Sequence, residues 1–386
     1  MEISSTTSEN GVMKKTKLLA AIALSLALGG TSAYAAEPEV TVYGVVDTGL
    51  QYTHVFNQST NTVEMNTGNY AGSRWGLKGS EKIGASTVGF ILESGFNSDD
   101  GTEGQDGRLF GRESQIYVSG DYGTVGLGRV GAFTSGVSSL SRFWDFDPFE
   151  TGYTDAGTQG TQVNSWSLYS NTLYYVSPKF SGFEAGAMYS LAGDHNETTG
   201  MAKDDHFGNA FLRWDGKNVR AITGLELYHV GHEYNGTTPN KDRWSFKLAG
   251  AWTPNGGPAT LYAGYSFYKN QAKFADSTWD DDSKVVFDKS GKGLEAHAVY
   301  LGGKYELGNA ALLGMFQFLT GKNKGAEAGA EDSYKRYVAS VGCHYYFSKR
   351  TMGYAVASYA KGSGILNNDN MATNRVITTV GLTHWF

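Results

Sequence analysis

Most residue groups in this 386-residue chain that could do chemistry sit in patterns that leave it incomplete. Residues 126–131 (GLGRVG) have the glycine spacing that cradles a dinucleotide pyrophosphate, but that chemistry needs a helix N-terminus directly after the glycines and an acidic residue about twenty positions on. The next nine residues are AFTSGVSSL, with no amphipathic helical pattern. His229, His232 and Glu233 invite a metal reading, yet the order H-x-x-H-E is not the zinc-binding i, i+4 arrangement, and they straddle a strand end as solvated loop residues. Asp276 with Asp280, Asp281 and Asp282 could offer oxygen ligands to a divalent cation; their default is an acidic, solvated loop. Cys343 has no second cysteine, so no disulfide is available, and it alternates in phase with Val341, Tyr345 and Phe347 as a small packing residue. No Ser-His-Asp order stands out in so serine-rich a chain. No cofactor, no metal site and no enzymatic reaction is expected from these groups.

The remaining cluster is of another kind. Residues 142–150 (RFWDFDPFE) set Asp145, Asp147 and Glu150 among Phe143, Trp144, Phe146 and Phe149, with Asp155 further on and Trp166 nearby. All lie in a segment, 132–170, far longer than ordinary connections, and such loops are functional or disordered. What the cluster can do depends on the elements that carry it.

Composition narrows those elements. The chain has 52 Gly, 24 Tyr, 20 Phe and 8 Trp but only 6 Pro, where average usage would give about 27 Gly and 19 Pro. Charged residues make up 18% and the net charge is −6, which gives no support to nucleic-acid binding. No stretch beyond the N-terminal region offers 18 consecutive apolar residues, so a bundle of transmembrane helices is excluded. An aromatic-rich, proline-poor chain of this kind suits a large closed antiparallel sheet.

From residue 40 onward the dominant period is two, in runs of about ten residues, the length a tilted strand needs to cross a membrane. The runs are 40–53, 73–83, 86–97, 108–121, 123–131, 171–180, 183–192, 205–216, 219–231, 242–254, 259–270, 293–308, 310–321, 333–348, 351–362 and 374–386. Sixteen is an even number, as a barrel with both ends on one side requires. Short turns such as Ser181-Gly182 and Gly308-Asn309 alternate with long polar loops at 54–72, 98–107, 132–170, 193–204, 232–241, 271–292, 322–332 and 363–373. That asymmetry is the pattern of short periplasmic turns and long extracellular loops.

Several runs resolve into two chemically different faces. Val219, Ala221, Thr223, Leu225 and Leu227 oppose Arg220, Gly224, Glu226 and Tyr228; Trp244, Phe246, Leu248 and Trp252 oppose Ser245 and Lys247; Trp75 and Leu77 oppose Arg74 and Lys78. A charge sealed in a dry core costs several kcal/mol, and here many strands would each bury one. The inside is therefore wet and the apolar outside faces lipid. Clusters such as Tyr345-Tyr346-Phe347, Tyr174-Tyr175 and Trp385-Phe386 sit near strand ends, where interfacial girdles belong.

The N-terminus names a compartment. Residues 13–35 (MKKTKLLAAIALSLALGGTSAYA) join a Lys-rich start, an apolar core too short to span a bilayer and a small-x-small cleavage site, which together read as a secretory signal peptide. Met13 is the better start, with 1–12 an upstream extension, so 1–35 is expected to be extension and signal and 36–386 the barrel.

The chain resembles the general porins of Gram-negative outer membranes, most closely the proteobacterial trimeric family. The resemblance is carried by 40–47 (VTVYGVVD), 73–81 (SRWGLKGSE), 123–129 (GTVGLGR), 171–183 (NTLYYVSPKFSGF), 347–351 (FSKRT) and 380–386 (VGLTHWF), in order along the chain. It implies an all-β, 16-stranded antiparallel transmembrane barrel in the outer membrane, a homotrimer surrounded by lipid and lipopolysaccharide, and passive diffusion of ions and small hydrophilic solutes. It also implies that the third long loop, 132–170, folds inward as the constriction. Asp145, Asp147, Glu150 and Asp155 would then face wall arginines and set a field across the narrowest point, and replacing Asp147 or Glu150 with the amide would favour anions. Arg74 matches a family wall arginine, with Lys78 on the same face. Arg112 also matches, but shares its parity with Ile116 and Val118, so a bulge or an interface position is needed. Arg129 reads as a strand-end or subunit contact. A further wall arginine of many relatives is replaced by Ser170, which predicts a weaker positive wall; Arg336 either compensates or is a generic lumen charge. Phe143, Trp144 and Phe146 either wedge the loop against the wall, the favoured reading, or form a ledge for sugar rings. The alternative function is accordingly a substrate-specific porin with a saturable sugar or carboxylate site.

Overall fold

The computed structural model describes residues 39–56, 58, 60–150, 152–163, 168–191, 204–231, 239–274, 285, 287–367 and 372–386. The segment 1–35, expected to be extension and signal peptide, lies outside the described residues, as do Trp166, His232, Glu233 and the aspartates 276 and 280–282.

The strands are β1 (Glu39–Val55), β2 (Thr60–Thr67), β3 (Arg74–Ile83), β4 (Ser86–Gly95), β5 (Glu113–Gly120), β6 (Gly123–Gly131), β7 (Leu168–Val176), β8 (Phe183–Ser190) and β9 (His206–Asp215). They continue with β10 (Val219–His229), β11 (Arg243–Trp252), β12 (Ala259–Gln271), β13 (Leu294–Leu307), β14 (Ala310–Asn323), β15 (Ser333–Ser348), β16 (Thr351–Gly364) and β17 (Arg375–Trp385). All neighbours pair antiparallel in one sheet, and β1 closes the ring on β17, with Val45 opposite Trp385 and Val55 opposite Arg375. Closure leaves no unpaired edge, which a spanning sheet in lipid requires.

Each of the sixteen expected crossings coincides with a strand, and one strand was not expected. β2 lies inside 54–72, read from sequence as a loop. β2 and β3 pair the same edge of β1 one after the other: Thr60 to Thr67 run opposite Val55 to Thr48, and Arg74 to Ser80 opposite Val45 to Glu39. They are two halves of one stave, so seventeen hydrogen-bonded segments build a barrel of sixteen staves. The sequence of β2, TNTVEMNT, offers only Val63 and Met65 as apolar residues, too few to register as alternation.

The stave is broken at 68–73, where the chain leaves the wall and turns inward. Gly68 takes φ +65°, a left-handed conformation that costs glycine little. The ladder positions vacated on β1 are filled by other donors. The Asp47 carbonyl accepts from Gly68 N (2.9 Å), Ser98 Oγ (2.7 Å) and Ser73 Oγ (3.1 Å), and Asp47 N donates to Ser73 Oγ (3.0 Å).

The faces follow the alternation. On β15, Tyr334, Arg336, Val338, Ser340 and His344 are buried within the barrel, while Lys335, Tyr337, Ala339 and Val341 are exposed on the outside. Outside rings touch in sequence around the wall: Phe56 on Tyr359, Phe318 on Tyr337, and Trp244 on Phe267 on His297. GLGRVG forms part of β6 and no helix starts directly after it, so the glycine spacing there serves strand packing. His229 stacks on His206 across β9 and β10 and its Nδ1 lies 3.0 Å from Asp242.

Candidate pore constriction

The segment after β6 folds into the barrel and lies along the inner wall from β8 to β17. Glycines on that wall receive its apolar side chains. A Cβ on Gly302 would stand 2.7 Å from the Pro148 ring, and one on Gly342 2.9 Å from Phe149. A Cβ on Gly224 would stand 2.7 Å from the Thr134 methyl and 3.0 Å from the Phe143 ring. Phe149 is fully buried in its seat, Phe133 approaches Gly186 in the same way, with 3.1 Å left for a Cβ, and Phe146 is fully buried alongside. The inward-folded loop therefore owes its position partly to side chains the wall lacks, consistent with the close packing expected of an interior.

Two carboxylates staple the loop electrostatically. Asp145 takes Arg213 in a fork, with Nη1 to Oδ1 at 3.1 Å and Nη2 to Oδ2 at 2.7 Å, and also Arg220 Nη1 at 2.9 Å. Both guanidiniums stand over the Phe146 ring, at 5.2 and 5.5 Å from its centroid, a cation–π arrangement that adds to the fork. Farther on, Asp155 is fully buried between Arg336 (Nη2 to Oδ1, 2.9 Å) and Arg375 (Nε to Oδ2, 2.7 Å; Nη2 to Oδ1, 3.0 Å). Gln317 Nε2 donates to the carbonyls of Asp155 and Gly157, both at 2.9 Å. Tyr300 Oη donates to the Phe146 carbonyl at 2.7 Å, and Tyr153 Oη and His344 Nε2 lie 2.8 Å apart.

The opposite wall carries the residues expected to face these acids. Arg112 Nε and Arg74 Nε lie 2.7 and 3.3 Å from the two oxygens of Glu93, and Tyr43 Oη donates to Glu93 at 3.0 Å. Arg112 Nη2 also donates to the Val137 carbonyl of the loop at 2.9 Å. Lys78 is exposed on the inner face, its ammonium 5.1 Å from the Tyr43 ring centroid.

Between these walls a cavity of about 630 Å³ stays open, with Arg74, Arg112, Trp144 and Glu150 in its lining together with the broken stave at 66–72. Trp144 is 43% exposed there, whereas Phe146 is buried and Phe143 packs against the same core. The phenylalanines pack between loop and wall, and the tryptophan stands free of that packing.

The paired arrangement differs from the expected field across the water. Asp145 and Asp155 contact Arg213, Arg220, Arg336 and Arg375, while Arg74 and Arg112 share Glu93. The reason is desolvation: a carboxylate this deeply buried needs a cation at contact distance, not one across a channel. Asp147 is buried too, accepting from Phe149 N (2.8 Å) and Thr158 N (2.6 Å), so it shapes the loop and leaves Glu150 as the loop carboxylate on the cavity. Glu150 accepts from Tyr70 Oη and lies 3.7 Å from Lys304 Nζ. Arg336, expected at the pore surface, is 2% exposed and sealed beneath the loop, donating also to the Gly160 carbonyl at 2.7 Å.

Arg112 escapes its parity conflict because regular strand begins only at Glu113; the bend before β5 turns it inward while Ile116 faces out. Arg129, on the outward parity of Leu127, caps strand ends through the carbonyls of Gly111 (2.7 Å) and Leu168 (3.3 Å), and donates to Ser170 Oγ at 2.9 Å. Sequence reasoning did not assign Arg213, Arg375, Lys304, Tyr70 or Asp47 to this region. Parity marks Arg213, Arg375 and Asp47 as inward, since each alternates with outward Leu212, Val376 or Val46.

Burial alone would raise the Asp155 carboxyl, but Arg336 and Arg375 outweigh it and hold the group below the ordinary carboxylate range. A depressed folded-state value contributes stability above the unfolded pKa of about 3.9 that is lost only as pH falls through the lower folded value. The loop end held by Asp155 is therefore expected to stay seated and protease-resistant as pH falls from neutrality to about 4 and to loosen only in stronger acid. Protease cleavage within 152–162 at pH 5–6 would contradict this assignment of the staple.

Comparison with known proteins agrees with the geometry. Residues 20–365 match the family model described as Gram-negative porin. An outer membrane porin protein of Bordetella pertussis is 29% identical over 419 aligned residues, covering 97% of this chain and all of the relative. Among solved structures, the anion-selective porin from Comamonas acidovorans superposes with a TM-score of 0.70 at 21% identity, covering 91% of this chain and 100% of that one. A Vibrio cholerae outer membrane protein solved in trimer form does so at 0.58 and 16%, covering 90% and 99%. With the family model spanning most of its length and the closed barrel to match, the chain belongs to the Gram-negative porin family of the outer membrane.

Proposed function

We propose that the barrel is a passive, water-filled channel through which ions and small hydrophilic solutes diffuse down their gradients, with a mild preference for anions and no covalent chemistry. The open cavity beside the seated loop carries this reading: about 630 Å³ of space lined by Arg74, Arg112, Glu150, Asn66 and Thr67 suits hydrated solutes. Among the charged residues of the lining, the two guanidiniums of Arg74 and Arg112 stand against the one carboxylate of Glu150, a small positive excess. The anion-selective porin of Comamonas acidovorans supports the same sign, and the trimer form of the Vibrio cholerae protein supports a homotrimer. Residues 1–35 serve export in this reading, and 36–386 form the barrel.

Reversal potentials across a KCl gradient test the proposal. A modest anion preference is expected; a cation preference would overturn the sign, and absence of ohmic current would overturn the channel itself.

Trp144 favours a second reading, a saturable site for a sugar or an aromatic carboxylate, because a large ring exposed in a narrow aperture can stack on flat solutes. Block of the ionic current by such a solute at low concentration, abolished by Trp144→Ala, would establish it. Solute flux that rises linearly and discriminates by size alone would reject it.

A further inference from the structure

We propose that the break in the second stave is a constriction element in its own right, and that Asp47 is the positioning residue holding it in the lumen. The proposal rests on the channel reading above and concerns what sets the width of that channel.

Asp47 sits mid-strand on β1 with its side chain inward and fully buried. Its carboxylate gathers five donors, all neutral. Oδ1 accepts from Asn69 N (3.1 Å) and Tyr354 Oη (2.9 Å), and Oδ2 from Tyr70 N (3.2 Å), Ala71 N (3.2 Å) and Thr383 Oγ1 (2.7 Å). Three consecutive backbone amides converging on one anion form the concave nest that loops adopt around bound anions. Here the anion is part of the wall. Its function in this place is conformational: without a negative group at that point, the amides of 69–71 have no acceptor and the segment has no reason to leave the strand.

The displaced segment reaches the loop. Tyr153 N donates to the Asn69 carbonyl at 2.5 Å, and Tyr70 Oη donates to Glu150. The Tyr70 ring packs 5.7 Å from Tyr153, 5.4 Å from His344 and 6.0 Å from Trp385. Gly152 admits the approach, because a Cβ there would stand 2.8 Å from the Tyr70 carbonyl oxygen. Two inward elements thus meet, and the open cavity is what they leave between them and Arg74 and Arg112. A continuous second stave would leave the wall flat and the loop's far end unsupported on this side.

The test uses the full-length protein in planar bilayers. Deleting 69–71, so that Gly68 joins Gly72, is expected to raise single-channel conductance roughly twofold, since the narrowest cross-section controls conduction, and to admit larger neutral sugars. Asp47→Asn is expected to move conductance the same way with added open-channel noise, and to add nothing in the deletion background, because it acts through the segment. Wild-type conductance and size limit in the deletion variant, or an Asp47→Asn effect of equal size in both backgrounds, would overturn the proposal. Should the deletion not fold, Tyr70→Phe keeps the ring and removes the hydroxyl on Glu150: a noisier channel supports the proposal, and one indistinguishable from wild type overturns it. Absence of current in the wild-type protein would instead defeat the channel reading.

Discussion

Asp155→Asn should release the constriction loop and raise single-channel conductance severalfold. The carboxylate is completely buried between Arg336 and Arg375, themselves 2% and 7% exposed. Removing one partner from a buried ion pair costs about 3–5 kcal/mol, much of it the penalty of a charge left without its counter-ion, and here two guanidiniums are left at once. That is a large share of a stability of about 5–15 kcal/mol. The protein has a cheaper outcome than unfolding, because water lies on the far side of the loop: if 144–162 swings away, both guanidiniums hydrate and the barrel ladder is untouched. The expected signature is higher conductance, new protease cleavage within the loop and unchanged heat-resistant migration of the barrel. Asp155→Glu, which keeps the charge, should lose far less. A loop that stays protease-resistant with wild-type conductance in Asp155→Asn would show that the glycine seats and Asp145 suffice to hold it.

Replacing Arg74 and Arg112 together by alanine should reverse the ion preference. The cavity would then present Glu150, and Glu93 would keep only Tyr43 of its three polar partners. A unit charge about 4 Å from a permeating ion is worth about 1 kcal/mol in bulk water. Two such charges amount to about 2 kcal/mol, and every 1.4 kcal/mol is tenfold in a ratio. A change on the order of tenfold in the anion-to-cation permeability ratio is expected at low salt, shrinking toward unity in 1 M salt where the Debye length falls to about 3 Å. Reversal potentials at both ionic strengths measure it. A ratio that does not move, or one that moves equally at high salt, would remove these arginines from the permeation path.

The sequence carried the barrel and the contents of its inner loop further than it carried their contacts. Period-two alternation located all sixteen crossings, because each crossing must present one apolar and one polar face. β2 escaped because its outward positions hold only two apolar residues, and tertiary pairing with β1, not its own pattern, makes it a strand. The acids of the loop were visible as a cluster, yet Asp145 and Asp155 find arginines on β9, β10, β15 and β17, and local sequence says nothing about which distant strand a loop will lie against. Arg112 was expected on the pore wall only if a bulge or an interface position resolved its parity; the strand starts at Glu113 and not at 108, so Arg112 falls outside the alternation and faces the cavity. Asp47 was visible as a lone carboxylate in VTVYGVVD; that it holds three amides of a broken stave depends on a register set 22 residues or more downstream.

The staples also dictate an order of events. Asp155 meets Arg336 at a separation of 181 residues and Arg375 at 220, contacts of the kind that form late because so much chain must be closed before they can be made. Arg375 opens the strand that seals the ring, so the loop has no complete berth until the last hairpin has docked on β1. A nascent barrel therefore passes through a stage that is shut to lipid but gaping at its centre, and maturation narrows it afterwards.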